Sequence, residues 1–198
     1  DLHWLRSLGA KPGISDLQRG LSDFQSAVSA IVRCPIPVLA IVQGTAAGFG
    51  FDLALACDMR LASSSATFTS AFARMGLVPD GGSTFTLPRL VGVGRSMRLL
   101  MTGETLGANE ALSIGLVEEV IEEGVLDAGV RQTVNSLLES AGSSIRSIKR
   151  LTRAAEIGAL EQALSSEGAA QLQALQSAEF RMRLEAFAAR LASRGHSA

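Results

Sequence analysis

Residues 37 to 58 read PVLAIVQGTAAGFGFDLALACD, and the change of pattern inside this stretch decides what the chain can be. Val38, Leu39, Ala40, Ile41 and Val42 form an unbroken apolar run after Pro-Ile-Pro, which predicts a strand buried on both faces, as in α/β proteins. Gly44, Gly48 and Gly50 then free the backbone for a sharp turn. Leu53, Ala54, Ala56 and Cys57 continue as a helix. The first turn of such a helix points unpaired N–H groups, backed by its dipole, at whatever lies in front of it. That arrangement binds an anion or stabilises one as it develops.

On the N-terminal side, Ile14, Leu17, Leu21, Phe24, Val28 and Ile31 recur at steps of three and four, the apolar face of a helix. Ser15 and Gln18 have capping-box spacing at its start, and Cys34-Pro35-Ile36-Pro37 closes it, because proline disfavours helical geometry in the residue before it. On the C-terminal side, residues 59 to 62 and 66 to 69 read as short strands around a Ser63-Ser64-Ser65 turn. A glycine-rich loop, residues 76 to 94, encloses a short helix around residues 85 to 90. A helix ends at Thr102-Gly103, another runs from 108 to 114 and stops at Gly115, and residues 116 to 121 form an edge strand. Beyond about residue 126 the chain turns helical, with apolar faces marked by Ile145, Ile148 and Leu151, then Phe180, Leu184, Phe187 and Leu191. Faces this wide, late in a chain already supplied with core, are expected to pack on a neighbouring subunit. Two regions follow, a core over residues 1–125 and a helical oligomerisation region over 126–198.

A chain of 198 residues with 47% hydrophobic and 19% charged residues can bury a sizeable core and still leave apolar surface for a subunit contact. A formal net charge of −1 and the lack of a Lys/Arg run argue against nucleic acid or an anionic membrane as the main partner. No apolar stretch reaches the ~18 residues of a membrane span, and the expected location is cytoplasmic. Cys34 and Cys57 have no metal-type spacing and read as free thiols.

The chemistry narrows by elimination. Both histidines, His3 and His196, lie at the ends of a chain without tyrosine, which leaves nucleophile–histidine pairs short of a base. There is no G-x-S-x-G, no phosphate loop and no paired Cys/His cluster. Gly48-Phe49-Gly50 lies between strand and helix, but Leu53 stands where a dinucleotide fingerprint has its third glycine. Carboxylates and backbone donors remain. Asp80, in Val78-Pro79-Asp80-Gly81-Gly82, reads either as a site acid or as the N-cap of the helix after it. Asp52 reads as an acid in a first helical turn, and Phe72 as core.

Four blocks carry a resemblance: residues 37–58, then ATFTSAFARMGLVPDGGSTFTLPRLVG, LLMTGETL and NEALSIGLVEEV. In these, and in this order, the chain resembles the crotonase, or enoyl-CoA hydratase/isomerase, superfamily. The resemblance implies an α/β spiral of strand-strand-helix units with a helical C-terminal trimerisation region. It implies acyl-CoA thioester substrates and no cofactor, coenzyme A being part of the substrate. It also implies a trimer or a dimer of trimers. Asp1-Leu2 is similar to the end of the family's G-A-D-[LI] loop, implying that the first strands and the first oxyanion donor lie upstream of Asp1.

Carried over residue by residue, the second oxyanion donor is the backbone N–H of Phe49, with Ala47, Gly48 and Gly50 around it. The Phe49 side chain is expected to narrow the pocket. Family hydratases hold water between two glutamates, whose positions correspond to Asp52 and Phe72. A phenyl ring moves no proton, so the two-carboxylate route is not expected. The Leu-Val-Pro-Asp block is similar to that of superfamily isomerases that use its aspartate as base, which is Asp80, followed by Gly81. Arg194, or Arg190, is the nearest match to a basic residue that reaches the CoA phosphates of an adjacent subunit. The reading is an acyl-CoA isomerase with Asp80 as proton shuttle. The alternatives are an enoyl-CoA hydratase using Asp52 and a non-catalytic acyl-CoA-binding relative.

Overall fold

The computed structural model describes residues 13–194, apart from the side chains of Ile14 and residues 191–194. His3 and His196 therefore lie outside the described residues, as does the Arg194 side chain. Helix α1 spans Ile14–Arg33 and ends where Cys34 leaves helical geometry ahead of Pro35. Its N-cap is Gly13, and no side chain caps it, so the Ser15/Gln18 capping box does not form. The Asp16 and Leu17 N–H groups donate to Gly13 O instead.

Two three-stranded sheets form the walls of the spiral. The first has the order β1 (Leu39–Val42), β3 (Met59–Ser63), β6 (Glu119–Ile121) and is parallel throughout. The second has the order β2 (Thr45–Ala47), β4 (Thr67–Thr69), β5 (Thr105–Gly107), with β2 parallel and β5 antiparallel to β4. The chain steps from one wall to the other at each corner. Gly44, with φ of 89°, makes the first step, and the hydroxyls of Thr45 and Thr67 stack across the second sheet at 2.9 Å.

β1 is not buried on both faces, contrary to its apolar run. Val42 points inward, whereas Ile41 is 40% exposed, because β3 pairs with one edge of β1 and the pleat turns alternate residues outward. β6, by contrast, is the edge strand that was expected.

Between the walls and outside them lie helices α2 (Phe49–Ala56), α3 (Ser83–Val91), α4 (Val93–Thr102) and α5 (Ala108–Ser113). The main core gathers Phe51, Leu55, Phe68, Leu87, Leu106 and Leu116. Buried Arg60 on β3 closes the end of α2, donating to Cys57 O at 2.9 Å and to Leu116 O at 2.8 Å while it pairs with Glu118. The bond to Cys57 O satisfies a carbonyl at the helix end, and the bond to Leu116 O ties in the loop before β6.

Helices α6 (Leu126–Leu138), α7 (Gly142–Ala154), α8 (Ile157–Gln176) and α9 (Ala178–Arg194) complete the chain. α8 packs on its own chain: Leu160 and Leu164 join Val28 and Val32 of α1, Ala56 and Phe85 in a second core. α7 is tied down chiefly by polar contacts. Lys149 Nζ reaches Asp58 at 2.6 Å and Ile36 O at 2.9 Å, and Arg153 donates to Cys57 O at 3.1 Å. Its Ile148 and Leu151 remain 64% exposed, which is where the expected unpartnered apolar face is found.

Candidate active site

The turn before α2 is built on Gly48, whose φ of 54° and ψ of −124° lie outside the range that L side chains favour. Gly48 N–H donates to Thr69 O at 3.1 Å, which seats the turn on β4. The Phe51 and Asp52 N–H groups fold back on Gly48 O at 3.0 and 3.1 Å. Phe49 and Gly50 open the helix, and their N–H groups are those that a helix start leaves without an intrahelical acceptor. Ala47 and Gly50 are exposed, and Gly48 is half-buried. The Phe49 ring stacks on Phe24 of α1, centroids 4.4 Å apart, so its bulk is taken up against that helix.

Phe72 is buried with the tip of its ring beside Gly48; a Cβ on that glycine would stand 3.9 Å from it. The carbonyl of Phe72 accepts the N–H groups of Met75 and Leu77 at 2.8 and 3.0 Å, and this turn carries the chain toward Asp80.

Asp52, Asp80 and Gly81 come together. Asp52 is fully buried, and its Oδ2 accepts the Gly81 N–H at 3.0 Å. The approach is so close that a Cβ on Gly81 would fall 2.6 Å from the Asp52 Cβ, which explains a glycine there. Three residues along α2 from Phe49, Asp52 thus bridges the Gly48 turn and the Asp80 loop. Asp80 does not cap α3: the N-cap is Gly82, with φ of 87° and no side-chain cap of its own. The helix start is served from a distance by Glu167 of α8, which accepts the Gly82 N–H at 2.6 Å and the Thr84 N–H at 2.9 Å.

Asp80 is buried, and its Oδ2 accepts a hydrogen bond from Gln171 Nε2 at 3.2 Å. The other oxygen, Oδ1, has no hydrogen-bond partner among the described residues, and neither do Asp52 Oδ1 and Ser83 Oγ. Burial pushes the Asp80 carboxyl up to about 6; the Gln171 amide opposes the rise and the Glu167 charge adds to it. Asp52 is raised well above the ordinary aspartate range, again by burial first, with Glu167 and Asp80 adding to it. Ser83 faces Asp52 and favours its ionised form without forming a hydrogen bond of normal geometry. One acid is thus held toward its neutral form beside a second that ionises near neutrality, a separation typical of acid–base sites. Among the described residues no group of three His, Cys, Asp or Glu side chains is placed to hold a metal ion.

Glu167 and Gln171 were not foreseen from the sequence. Their signal was present: Leu160, Leu164, Glu167 and Gln171 recur at steps of four, three and four, two polar residues continuing a buried apolar stripe. Two open clefts, of about 590 and 500 Å³, lie elsewhere, along α7 beyond the C-terminal ends of α1 and α2. Arg190 is already engaged within the chain.

A family model described as enoyl-CoA hydratase/isomerase matches residues 13–194. The chain belongs to the enoyl-CoA hydratase/isomerase family. It is 38% identical over 165 residues to a Rhodobacter capsulatus protein named "Probable enoyl-CoA hydratase", covering 83% of this chain and 64% of that one. It is 35% identical over 163 residues to the 1,2-epoxyphenylacetyl-CoA isomerase of Escherichia coli, covering 82% and 62%. The chain thus spans under two thirds of the length of these curated relatives. Among solved structures, an enoyl-CoA hydratase from Mycobacterium avium subsp. paratuberculosis superposes with a TM-score of 0.84 at 37% identity, covering 88% of this chain and 71% of that one. The crotonase spiral with its helical C-terminal region is therefore the fold of this chain.

Proposed function

We propose that this protein is an acyl-CoA isomerase that moves a double bond, or rearranges a ring-derived acyl group, through a thioester enolate. The Phe49 N–H is one donor to the enolate oxygen. Asp80 takes a proton from one carbon of the acyl chain and returns it to another, while the electron pair rests on the oxygen between the two transfers. Such a shuttle needs one carboxyl that is ionised at neutral pH yet basic enough to remove a carbon-bound proton. The observation that carries the reading is Asp80 itself, buried, ionising at about 6 and with one oxygen unengaged, in a loop that Asp52 ties to the oxyanion turn. Phe72 supports it, since a ring stands where the hydratase route would need its second acid.

The second reading is an enoyl-CoA hydratase, favoured by the name of the Rhodobacter capsulatus relative. Against it, Asp52 is fully buried and already holds the Gly81 N–H. A panel of 2-enoyl-, 3-enoyl- and ring-derived acyl-CoA thioesters, with products identified by NMR, separates the readings. Positional isomers are expected; 3-hydroxyacyl-CoA as the main product would favour the hydratase, and no turnover with tight binding would favour a non-catalytic acyl-CoA binder. The partners proposed are the acyl-CoA thioester and further copies of this chain, in the cytoplasm.

A further inference from the structure

Gln171 lies on the face of α8 turned toward the Asp80 loop, fully engaged and almost fully buried. Its Oε1 accepts the Val78 N–H at 3.1 Å, and its Nε2 donates to Asp80 Oδ2 at 3.2 Å. The first bond fixes which end of the amide faces which partner, because only Oε1 can accept from an N–H. The amide nitrogen is therefore committed to Asp80. One helical turn earlier, Glu167 holds the Gly82 and Thr84 N–H groups, and Leu160 and Leu164 crowd Gly82 so closely that a Cβ there would come within 2.8 Å of Leu160. α8 thus grips the loop on both sides of Asp80, through residues 78, 80, 82 and 84.

We infer that Gln171 is a positioning residue: by occupying Asp80 Oδ2 it locks the carboxyl against rotation and leaves Oδ1 as the single oxygen that accepts and returns the proton. The inference rests on Asp80 being the base. In the step, a C–H bond breaks and an Oδ1–H bond forms, with the electron pair passing to the thioester oxygen. The reverse transfer to the second carbon restores the carboxylate, so no outside reactant is needed. A carboxyl free to rotate would present either oxygen to either carbon and lose alignment between the two transfers.

The charged groups facing Asp80 are Asp52 from α2 and Glu167 from α8, and the loop residues 77 to 82 contribute no other charge. Against burial and the Glu167 charge, the Gln171 N–H is the side-chain contact that favours the ionised form of Asp80.

The test is a carboxyl-carbon NMR titration of Asp80, its signal assigned by its loss in Asp80→Asn, in the intact protein and in Gln171→Met, which keeps the side-chain length without the donor. Gln171→Leu is a second route if the first variant folds poorly. Val28→Ala, a cavity in the core where α1 packs on α8, serves as the structural control. The midpoint is expected to rise by about one pH unit in the Gln171 variants and to stay in place in Val28→Ala, although all three lose thermal stability. With a turned-over substrate, kcat should fall at least ~10-fold with KM little changed. A midpoint that stays put in folded Gln171 variants overturns the inference, whatever the activity. If the wild-type protein isomerises nothing, the proposed function fails, and the titration still decides whether Gln171 holds Asp80.

Discussion

Asp80 ionises at about 6 rather than the usual 3.8 because its carboxyl is out of water and beside like charge, with the Gln171 amide as partial compensation. The folded protein therefore holds this proton more tightly than the unfolded chain does. Stability from this group is fully present below about pH 4, is lost as pH rises toward 6, and is flat above. Asp80→Asn removes that loss. At pH 7.5 it should unfold at a higher temperature than wild type, by up to about 3 kcal/mol at about 1.4 kcal/mol per pH unit, and the advantage should vanish near pH 3. Calorimetry at the two pH values checks it. The wild-type kcat/KM should fall about tenfold per pH unit below about 6, as the base becomes protonated. At this scale the residues alone left Asp80 open between site acid and helix cap, and it was the resemblance of the Leu-Val-Pro-Asp block and of the turn at Gly48 that singled out Asp80 and the Phe49 N–H. The reason Asp80 is perturbed was not legible, because its burial is a product of tertiary packing, and the amide that partly offsets the rise comes from Gln171 of α8, 91 residues away along the chain.

Among the elements, α1 was readable because both its period and its proline stop are local, and β3 and β4 because a serine turn separates them. β2 was not foreseen. Three residues are too few for a period, and Thr45–Ala47 becomes a strand only because β4 offers a ladder. The capping box at Ser15 lost to a start at Gly13, and the cap of α3 is supplied by Glu167 rather than by its own loop. The first signal was overruled by a neighbour in the chain, the second by a partner 85 residues away. α8 carries the clearest instance: half of its buried face is core and half holds the Asp80 loop, a division that apolar periodicity alone reads as a stripe that fades.

For the whole molecule, apolar groups are left in water on one face of α4, at Val93, Met97 and Met101, and on the C-terminal helices α6 and α7. Ile148 and Leu151 of α7 and Leu138 of α6 are exposed, while α8 buries its apolar face internally. Burying such faces against a second copy is the ordinary remedy, so a trimer or a dimer of trimers is expected by light scattering at micromolar concentration; a monomer would contradict it. The account as a whole turns on Asp80 as the group that moves the proton. Its most direct measurement is the isomerisation rate of Asp80→Asn on the best substrate of the panel, with thioester binding followed separately. The rate is predicted to drop ~10²–10⁴-fold with binding largely retained, and a folded variant that turns over at the wild-type rate would contradict it.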